Sequence, residues 1–429
     1  MPGSLNYFGW MRHASGWCLF LFFCTTLFLE GANQQRVLGI LLCGSFILSC
    51  VNKGQWFWLK CPPPEMIIQS FWVVWGGVTG ICVADNIYEF WEVFRVVAEV
   101  LILMWVVYGM ITIRPEMVHA LFGGLLVGSV ILIGSAFTGE AQLQQEVDER
   151  VMGITSNPNN LALYLTIIFV LAFWYWGELA ANKKWWRFLF LPYWAISIVT
   201  ITMSGSRKSL IGIVVVLIAW FGWASTLKTS PARIFVRLLT MAIMIAMAFM
   251  ILPKALEDTN VGKRFAKFYD QGNGSITGAA EDNIRYQMYQ EGWNMTLENP
   301  VFGVGLGNFG QHFWTGQYSH SNYMEPLATT GFPGFILYQS FYAILLFKSL
   351  RLMKGSEPIF RYQLKVVVII VLTLMLLGVG APWHADPAVY GLLGALSAYA
   401  GLLKRLPNSE STNHLTSEQD FVSVLGFHG

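Results

Sequence analysis

The strongest constraint in this sequence is a series of long apolar runs separated by short polar segments. About twelve such runs occur, and a bilayer-spanning helix needs about 20 predominantly apolar residues. The run 161–176 (LALYLTIIFVLAFWYW) is continuous rather than alternating, which favours helices over the strands of a membrane β-barrel. We therefore predict an all-α polytopic membrane protein. The runs lie at about 16–30, 37–51, 66–84, 95–113, 117–136, 160–178, 188–204, 209–226, 234–252, 323–347, 362–382 and 387–403.

The amino-acid composition excludes a water-soluble globular chain. Hydrophobic residues make up 55% of the 429 residues and charged residues only 12%, about half the charged fraction of soluble domains. The formal net charge of +2 is too balanced to indicate nucleic-acid binding, and we expect no such partner. The 6 cysteines all precede residue 83 and form no CxxC pair, so we expect neither a disulfide nor a cysteine metal site.

The positive charges indicate which loops face the cytoplasm, because cytoplasmic loops carry an excess of Lys and Arg. With Arg12 and the N-terminus in the cytoplasm, most of the 27 Lys and Arg residues fall on the cytoplasmic side. The segments 85–94 and 137–149 are acidic and then lie outside. We predict that both termini are cytoplasmic. Residues 1–405 form a membrane domain, with a long outer loop at 253–322 that contains short helices, and 406–429 form a disordered tail.

One short outer turn, at residues 204–208, departs from this charge rule. It ends in Arg207 and Lys208. Two cations there are explained by long side chains that reach lipid headgroups. They are equally explained by an anion bound on the outer face, since a guanidinium group matches two phosphate oxygens.

The long outer loop contains further candidate site residues. An apolar stripe predicts a helix over 282–297, with Arg285 in its first turn, where the helix dipole disfavours a cation. A surface ion pair or a bound anion would account for Arg285. The glycine-rich segment 299–309 lacks the Lys-Ser/Thr of a phosphate loop, so we predict a tight turn instead. His320 stands where the chain re-enters the membrane, in either a structural or a catalytic role.

Three histidines are predicted on the outer side, which raises the question of a metal site. They are His312, His320 and His384. The sequence contains no HExxH motif and no close ligand pair, and it has no Asp-x-Asp of a metal-dependent sugar transferase. We therefore expect no metal and no other cofactor.

Four motifs that follow one another in the sequence resemble the O-antigen ligase and polymerase superfamily. The resemblance covers roughly residues 150–340, and all four motifs fall on the predicted outer side. They are Asn157-Pro158-Asn159-Asn160-Leu161-Ala162, Ser204-Gly205-Ser206-Arg207, Arg285 ahead of Asn299-Pro300-Val301-Phe302-Gly303-Val304-Gly305, and His320-Ser321-Asn322.

The resemblance implies an integral-membrane glycosyltransferase of the C type in the bacterial inner membrane, with its active site facing the periplasm. Such an enzyme moves glycan from undecaprenyl diphosphate to an acceptor. The resemblance implies that His320 activates the acceptor and that Arg207 and Arg285 bind the donor diphosphate.

Four further residues are predicted to support the site: Asn159, Gly305, Asn322 and Glu325. Glu325 lies five residues after His320 and is a candidate to orient its imidazole. One departure from the family pattern is Ser321, which stands where many members have asparagine directly after the histidine, and Asn322 follows it.

The chemistry of these residue types is consistent with that reaction. A diphosphate is a good leaving group once its developing charge is stabilised, and two arginines can supply that stabilisation without a metal. A histidine with a pKa near 6.5 can take the proton of an acceptor hydroxyl. Direct attack by that hydroxyl inverts the anomeric centre.

Three functions remain open at the sequence level. The first is an O-antigen ligase, whose acceptor is the lipid A core. The second is a polymerase, whose acceptor is another carrier-linked repeat unit. The third is a transporter or flippase, which requires intramembrane ionisable groups or broken helices, and the Pro- and Gly-containing segment 326–334 keeps it in consideration.

Overall fold

The computed structural model describes residues 8–28, 33–53, 62–138, 151, 154–155, 157–182, 184–224 and 284–405. Within these ranges the chain is helical and contains no strand, which confirms the all-α prediction for the described part. The predicted span 234–252, the acidic segment from 139 to 149, the outer-loop residues 253–283 and the tail 406–429 lie outside the described residues.

The helices follow the predicted apolar runs closely. Every predicted run within the described ranges coincides with a helix, and two further helices, α9 and α10, lie in the outer loop. The helices are α1 (Ala14–Thr25), α2 (Asn33–Lys53), α3 (Pro64–Val83), α4 (Ile87–Ile113), α5 (Met117–Phe137), α6 (Pro158–Ala181), α7 (Phe190–Met203), α8 (Arg207–Ala219), α9 (Ile284–Glu298), α10 (Phe309–His312), α11 (Met324–Leu352), α12 (Pro358–Leu377) and α13 (Pro387–Arg405).

Among the described residues, 7 helices are long and apolar enough to cross a membrane. Three shorter apolar helices accompany them, at Ala14–Thr25, Gln35–Val51 and Pro387–Leu403. The total of about twelve spans stays a prediction. The seven are Pro64–Val83, Ile87–Ile113, Met117–Phe137, Pro158–Ala181, Trp185–Met203, Met324–Leu352 and Pro358–Gly380.

Two helices differ in how deeply they are buried: α6 is central and α3 is peripheral. Every residue of α6 from Leu161 to Trp174 is buried, and α6 packs against α5, α7, α8 and α12. Helix α3 instead presents an apolar stripe to the outside of the protein, at the three- and four-residue spacing of one helix face. Such a stripe is stable against lipid but not against water. Its members are Ile67, Phe71, Val74, Val78 and Ile81.

Small residues allow α1 and α5 to approach closely. A Cβ built at Gly124 would lie 2.4 Å from the backbone oxygen of Phe20, and one at Gly128 would lie 2.4 Å from that of Cys24. The two glycines are four residues apart and face the same neighbour, which is the usual spacing of close helix pairs in membranes.

Helix α11 is broken near its N-terminal end, as its proline and glycine content suggested. The break lies at Gly331, whose φ of 67° is left-handed, whereas Pro326 fits within the first turn. The glycine-rich loop before α10 fills the break: Val304 N donates to Ala328 O (2.9 Å) and Phe332 N donates to Pro300 O (2.9 Å). The loop backbone thereby satisfies polar groups that a kink would leave unpaired.

Candidate active site

His320 lies in the loop between α10 and α11 and has an unusual backbone conformation. Its φ is 54°, and within the described ranges it is the only non-glycine residue with positive φ. Its ring lies against Tyr318, with 4.1 Å between ring centroids. A left-handed histidine costs some backbone energy, and such strain persists where surrounding contacts hold it.

The contacts that hold this loop come from both sides of His320. Ser319 N donates a 2.6 Å hydrogen bond to Glu325 Oε2 on α11. Ser321 Oγ accepts hydrogen bonds from Tyr323 N (3.3 Å) and Met324 N (3.2 Å), which caps the start of α11. Glu325 therefore fixes the backbone one residue before the histidine.

The surroundings of His320 keep its imidazole neutral. Burial, together with the positive charges of Arg285 and Lys208, lowers the pKa of His320 to about 4. The structure thus brings Arg285 of α9 and Lys208 of α8 to the predicted catalytic histidine. A neutral imidazole at this position can accept a proton.

The end of α12 holds the site together. The last carbonyls of a helix lack partners within the helix and carry partial negative charge. Here the carbonyls of the last turn of α12 and of the 3-10 turn Gly378–Gly380 that continues it accept hydrogen bonds from four groups that belong to other segments. Tyr323 OH bonds Met375 O (2.7 Å), Asn322 N bonds Gly378 O (2.7 Å), Tyr289 OH bonds Val379 O, and Lys208 Nζ bonds Gly380 O.

Tyr289 links this helix end to the histidine loop. Its hydroxyl also lies close enough to the side chain of Ser321 for that group to lower the pKa of Tyr289. Burial raises the pKa of Tyr289, against the opposing effects of Arg285 and Ser321. Because Tyr289 and Arg285 are one helical turn apart on α9, the same contact fixes Arg285 beside His320.

The predicted cationic turn forms the start of α8. Arg207 is the first residue of α8 and Lys208 the second, and both are partly buried. The preceding turn has Gly205 at φ 71°, and Ser206 N donates to Ser204 Oγ (3.3 Å). The sequence motif predicts Arg207 as a ligand of the donor diphosphate. In the structure it is the neighbouring Lys208 whose charge lowers the pKa of His320.

Asn322 links its own loop by hydrogen bonds to α11 and to the segment before α13. Its Oδ1 accepts hydrogen bonds from Tyr338 OH (2.5 Å) and Trp383 N (2.9 Å). Its backbone oxygen accepts a bond from Gln339 Nε2 (3.0 Å). The amide oxygen therefore joins α11 to the segment before α13, directly behind the histidine loop.

The other two predicted supporting residues, Asn159 and Gly305, act through their backbone atoms. Asn159 lies in the first turn of α6, where its backbone N–H donates to the capping Asn157 Oδ1 (2.8 Å). Gly305 has φ 89°, and a Cβ built there would lie within 3.0 Å of Ala84 at the end of α3. The glycine loop is thus a close-packed turn.

A cavity of about 1320 Å³ lies beside the histidine loop. Tyr318 and Glu325 line it, whereas His320, Arg207 and Arg285 are not among its lining residues. Its walls come from α2, α4, the start of α6, the outer loop and the segment 381–387. The basic residues near His320 are therefore not part of the cavity wall.

Comparison with known proteins identifies the segment that carries this site. The O-antigen ligase family model matches residues 192–339. None of the curated proteins compared with the chain matches it. The O-antigen ligase match includes Arg207, Arg285 and His320, and it confirms the resemblance to the superfamily for this segment.

The two other histidines that were predicted on the outer side have different surroundings. His312 Nε2 lies 3.1 Å from Asp85 Oδ2. His384 is buried next to the cavity. Within the described ranges there is no group of three or more His, Cys, Asp or Glu side chains that could hold a metal ion. The expectation of a metal-free site stays a prediction.

Proposed function

We propose that the protein is a membrane glycosyltransferase that moves glycan from undecaprenyl diphosphate to an acceptor sugar hydroxyl. We propose further that it acts as an O-antigen ligase on the lipid A core. The observation that carries the proposal is a neutral His320 flanked by two cations, Arg285 and Lys208, on the segment that matches the ligase family.

In the proposed reaction the acceptor oxygen forms a bond to the anomeric carbon of the donor glycan. The bond between that carbon and the phosphate oxygen breaks, and its electron pair leaves with the diphosphate. The acceptor proton passes to His320. Direct displacement inverts the anomeric configuration, and the products are the extended acceptor and the polyprenyl diphosphate.

The cations serve the leaving group in this scheme. Arg207 and Arg285 are the proposed diphosphate ligands, and Lys208 adds a third positive charge close to His320. Fixed positive groups stabilise charge that develops on the departing diphosphate without any reorganisation during the reaction. A bound diphosphate also offsets the cations that lower the pKa of His320, so donor binding makes the imidazole a stronger base.

The proposal includes a location and a topology. We place the protein in the bacterial inner membrane with about twelve spans of a C-type glycosyltransferase fold, with both termini in the cytoplasm and the site at the periplasmic face. The charge asymmetry of the sequence supports this orientation. The neighbourhood of Arg207 and Lys208 supports an anion-binding role for the one outer turn that departs from that asymmetry.

The reaction is tested with purified full-length protein, carrier-linked glycan and an acceptor, in the presence of a chelator and without nucleotide. We expect transfer by the wild type and none by His320→Ala. Correctly folded protein that transfers nothing would contradict the glycosyltransferase proposal and favour a transporter. Strict dependence on a divalent ion would contradict the metal-free mechanism.

The polymerase is the alternative within the same class, and a gene deletion separates it from the ligase. Deletion of a ligase leaves the lipid A core without glycan while carrier-linked polymer persists. Deletion of a polymerase leaves core that carries a single repeat unit.

A further inference from the structure

The cavity beside the histidine loop has no role in the reaction as described so far. Its volume of about 1320 Å³ exceeds the 300–1,000 Å³ that is typical of small-ligand sites. It reaches Tyr318 and Glu325, which flank His320 in the sequence, so a molecule in the cavity comes close to the histidine loop.

A buried imidazole in the cavity wall lacks a partner. His384 is 9% exposed and lines the cavity, and its Nδ1 has no hydrogen-bond partner within the described part of the protein. Buried polar atoms are rarely left unsatisfied in folded proteins, so this nitrogen calls for a partner from outside the protein. Burial lowers the pKa of His384 to about 4, and a neutral ring can accept one hydrogen bond and donate another.

The excess of carboxyl groups in the cavity wall disfavours a diphosphate as that partner. Carboxylates outnumber cations among the lining residues, and the two cations that act on His320, Arg285 and Lys208, do not line the cavity. Like charges within a confined, largely apolar space repel strongly. The charged lining residues are Arg36, Arg95, Glu89, Glu92, Glu99, Glu325 and Asp386.

The remaining lining residues suit an uncharged sugar chain. Tyr164, Tyr318 and Trp383 place aromatic rings on the wall, against which the apolar faces of sugar rings can pack. Tyr164 OH donates a 2.8 Å hydrogen bond to Asp386 Oδ2, next to the histidine. Apolar walls with a few fixed polar groups are typical of sites that recognise a neutral ligand.

We propose that this cavity binds the uncharged glycan of the acceptor and that His384 hydrogen-bonds one of its hydroxyl groups. The inference rests on the proposed transferase function. His320 then stands between two compartments. The donor diphosphate binds on the basic side, with Arg285 and Lys208, and the acceptor hydroxyl arrives from the carboxylate-lined side.

The test measures binding and transfer separately, with full-length protein in nanodiscs. The binding probe is the neutral outer-core oligosaccharide of the acceptor, compared with the same oligosaccharide carrying a phosphate. We expect the neutral form to bind more tightly. We expect His384→Ala to weaken its binding about tenfold, the usual effect of one lost hydrogen bond. The acceptor KM should rise by a similar factor while the donor KM stays unchanged.

Two further variants serve as a control for His384→Ala and as a substitute for it. His312→Gln removes an outer imidazole that does not line the cavity, and we expect it to bind the oligosaccharide like the wild type. If His384→Ala fails to fold, Ala385→Phe fills the same wall with a larger side chain and should also weaken oligosaccharide binding.

The outcomes separate this inference from the proposed function. Unchanged oligosaccharide binding in folded His384→Ala, tighter binding of the phosphorylated form, or a raised donor KM would overturn the inference while transfer persists. Oligosaccharide binding that depends on His384, without any transfer, would support the glycan site and contradict the transferase.

Discussion

At the level of single residues, His320 combines backbone strain with a fixed environment. Its left-handed conformation is held by the Ser319–Glu325 hydrogen bond on one side and by the Ser321 cap on the other. Strained residues held in this way cluster at functional sites, where the strain positions a side chain in advance. The consequence here is an imidazole whose direction is set before substrate binds.

The pH dependence of transfer tests the protonation state of His320. The imidazole acts as a base only when neutral, and its pKa in the free protein is about 4. Glu325, whose pKa burial raises to about 7, adds a change near neutral pH through its hydrogen bond to Ser319. Below that change we expect kcat/KM to be constant down to about pH 5 and to fall as the pH drops through about 4. In His320→Ala we expect a rate roughly 100- to 10,000-fold lower without this acidic limb. A wild-type limb near pH 6.5 that Glu325→Gln does not remove would contradict the assignment.

The charge of Lys208 is tested through the same pH profile. Removal of a nearby positive charge favours the protonated imidazole, so Lys208→Met should raise the pKa of His320. We expect the acidic limb of kcat/KM to move to higher pH in Lys208→Met. Lys208→Arg, which keeps the charge, and Lys354→Met, near the opposite end of α11, should leave the limb in place. An unchanged limb in Lys208→Met would show that this charge does not act on the histidine.

At the level of elements, the end of α12 positions the segments of the site. The carbonyls of its last turn and of the following turn Gly378–Gly380 receive donors from α8, from α9 and from the loop before α11, which are far apart in the sequence. The cation Lys208 is favourable there because a helix C-terminus carries partial negative charge. Local movement of α12 would therefore disturb all three segments at once.

The contact of α9 with this helix end is tested by Tyr289→Phe, which removes the hydroxyl that bonds Val379 O. Loss of such a bond costs about 0.5–1.5 kcal/mol. We expect a lower kcat with little change in acceptor KM, since the cavity is not lined by Tyr289. Tyr286→Phe, an exposed position on the same helix, is the control. Equal kcat in both variants would refute the positioning role.

The break in α11 is tested by Gly331→Ala. A Cβ at this position would lie 2.3 Å from Val301 O, and the φ of 67° is unfavourable for alanine. We expect a loss of more than about 2 kcal/mol of stability, measured as a lower thermal unfolding temperature in detergent. Gly134→Ala, with no atom within 4 Å of the added Cβ, should be neutral or slightly stabilising. Equal unfolding temperatures would contradict the close loop contact.

The helices were predictable from sequence because each apolar run carries its own signal over about 20 residues. His320 and Arg285 were selected because they stand in motifs that resemble the family, and their catalytic and binding roles stay predictions. Lys208 and Tyr289 were missed as site residues. Their partners, Gly380 and Val379, are 172 and 90 residues away, and no local pattern encodes such pairs.

At the level of the whole molecule, the long helix α11 separates the histidine loop from a cluster of basic residues at its other end. It spans 29 residues, roughly 40 Å along its axis, enough to cross the apolar layer of a bilayer. His320 lies just before its first residue. Arg351, Lys354 and Arg361 cluster around its last turn and the start of α12. The positive-inside rule assigns this second end to the cytoplasm.

That assignment is tested by labelling single cysteines from one side of the membrane. In a background with the native cysteines replaced by serine, Trp314→Cys places a thiol at a 76% exposed position of the outer loop. Lys354→Cys places one in the turn after α11. An impermeant maleimide should label Trp314→Cys in spheroplasts and Lys354→Cys only in inverted vesicles. Both variants must keep transfer activity, which shows that they are folded. The reverse labelling pattern would place His320 in the cytoplasm, where a periplasmic ligase could not act.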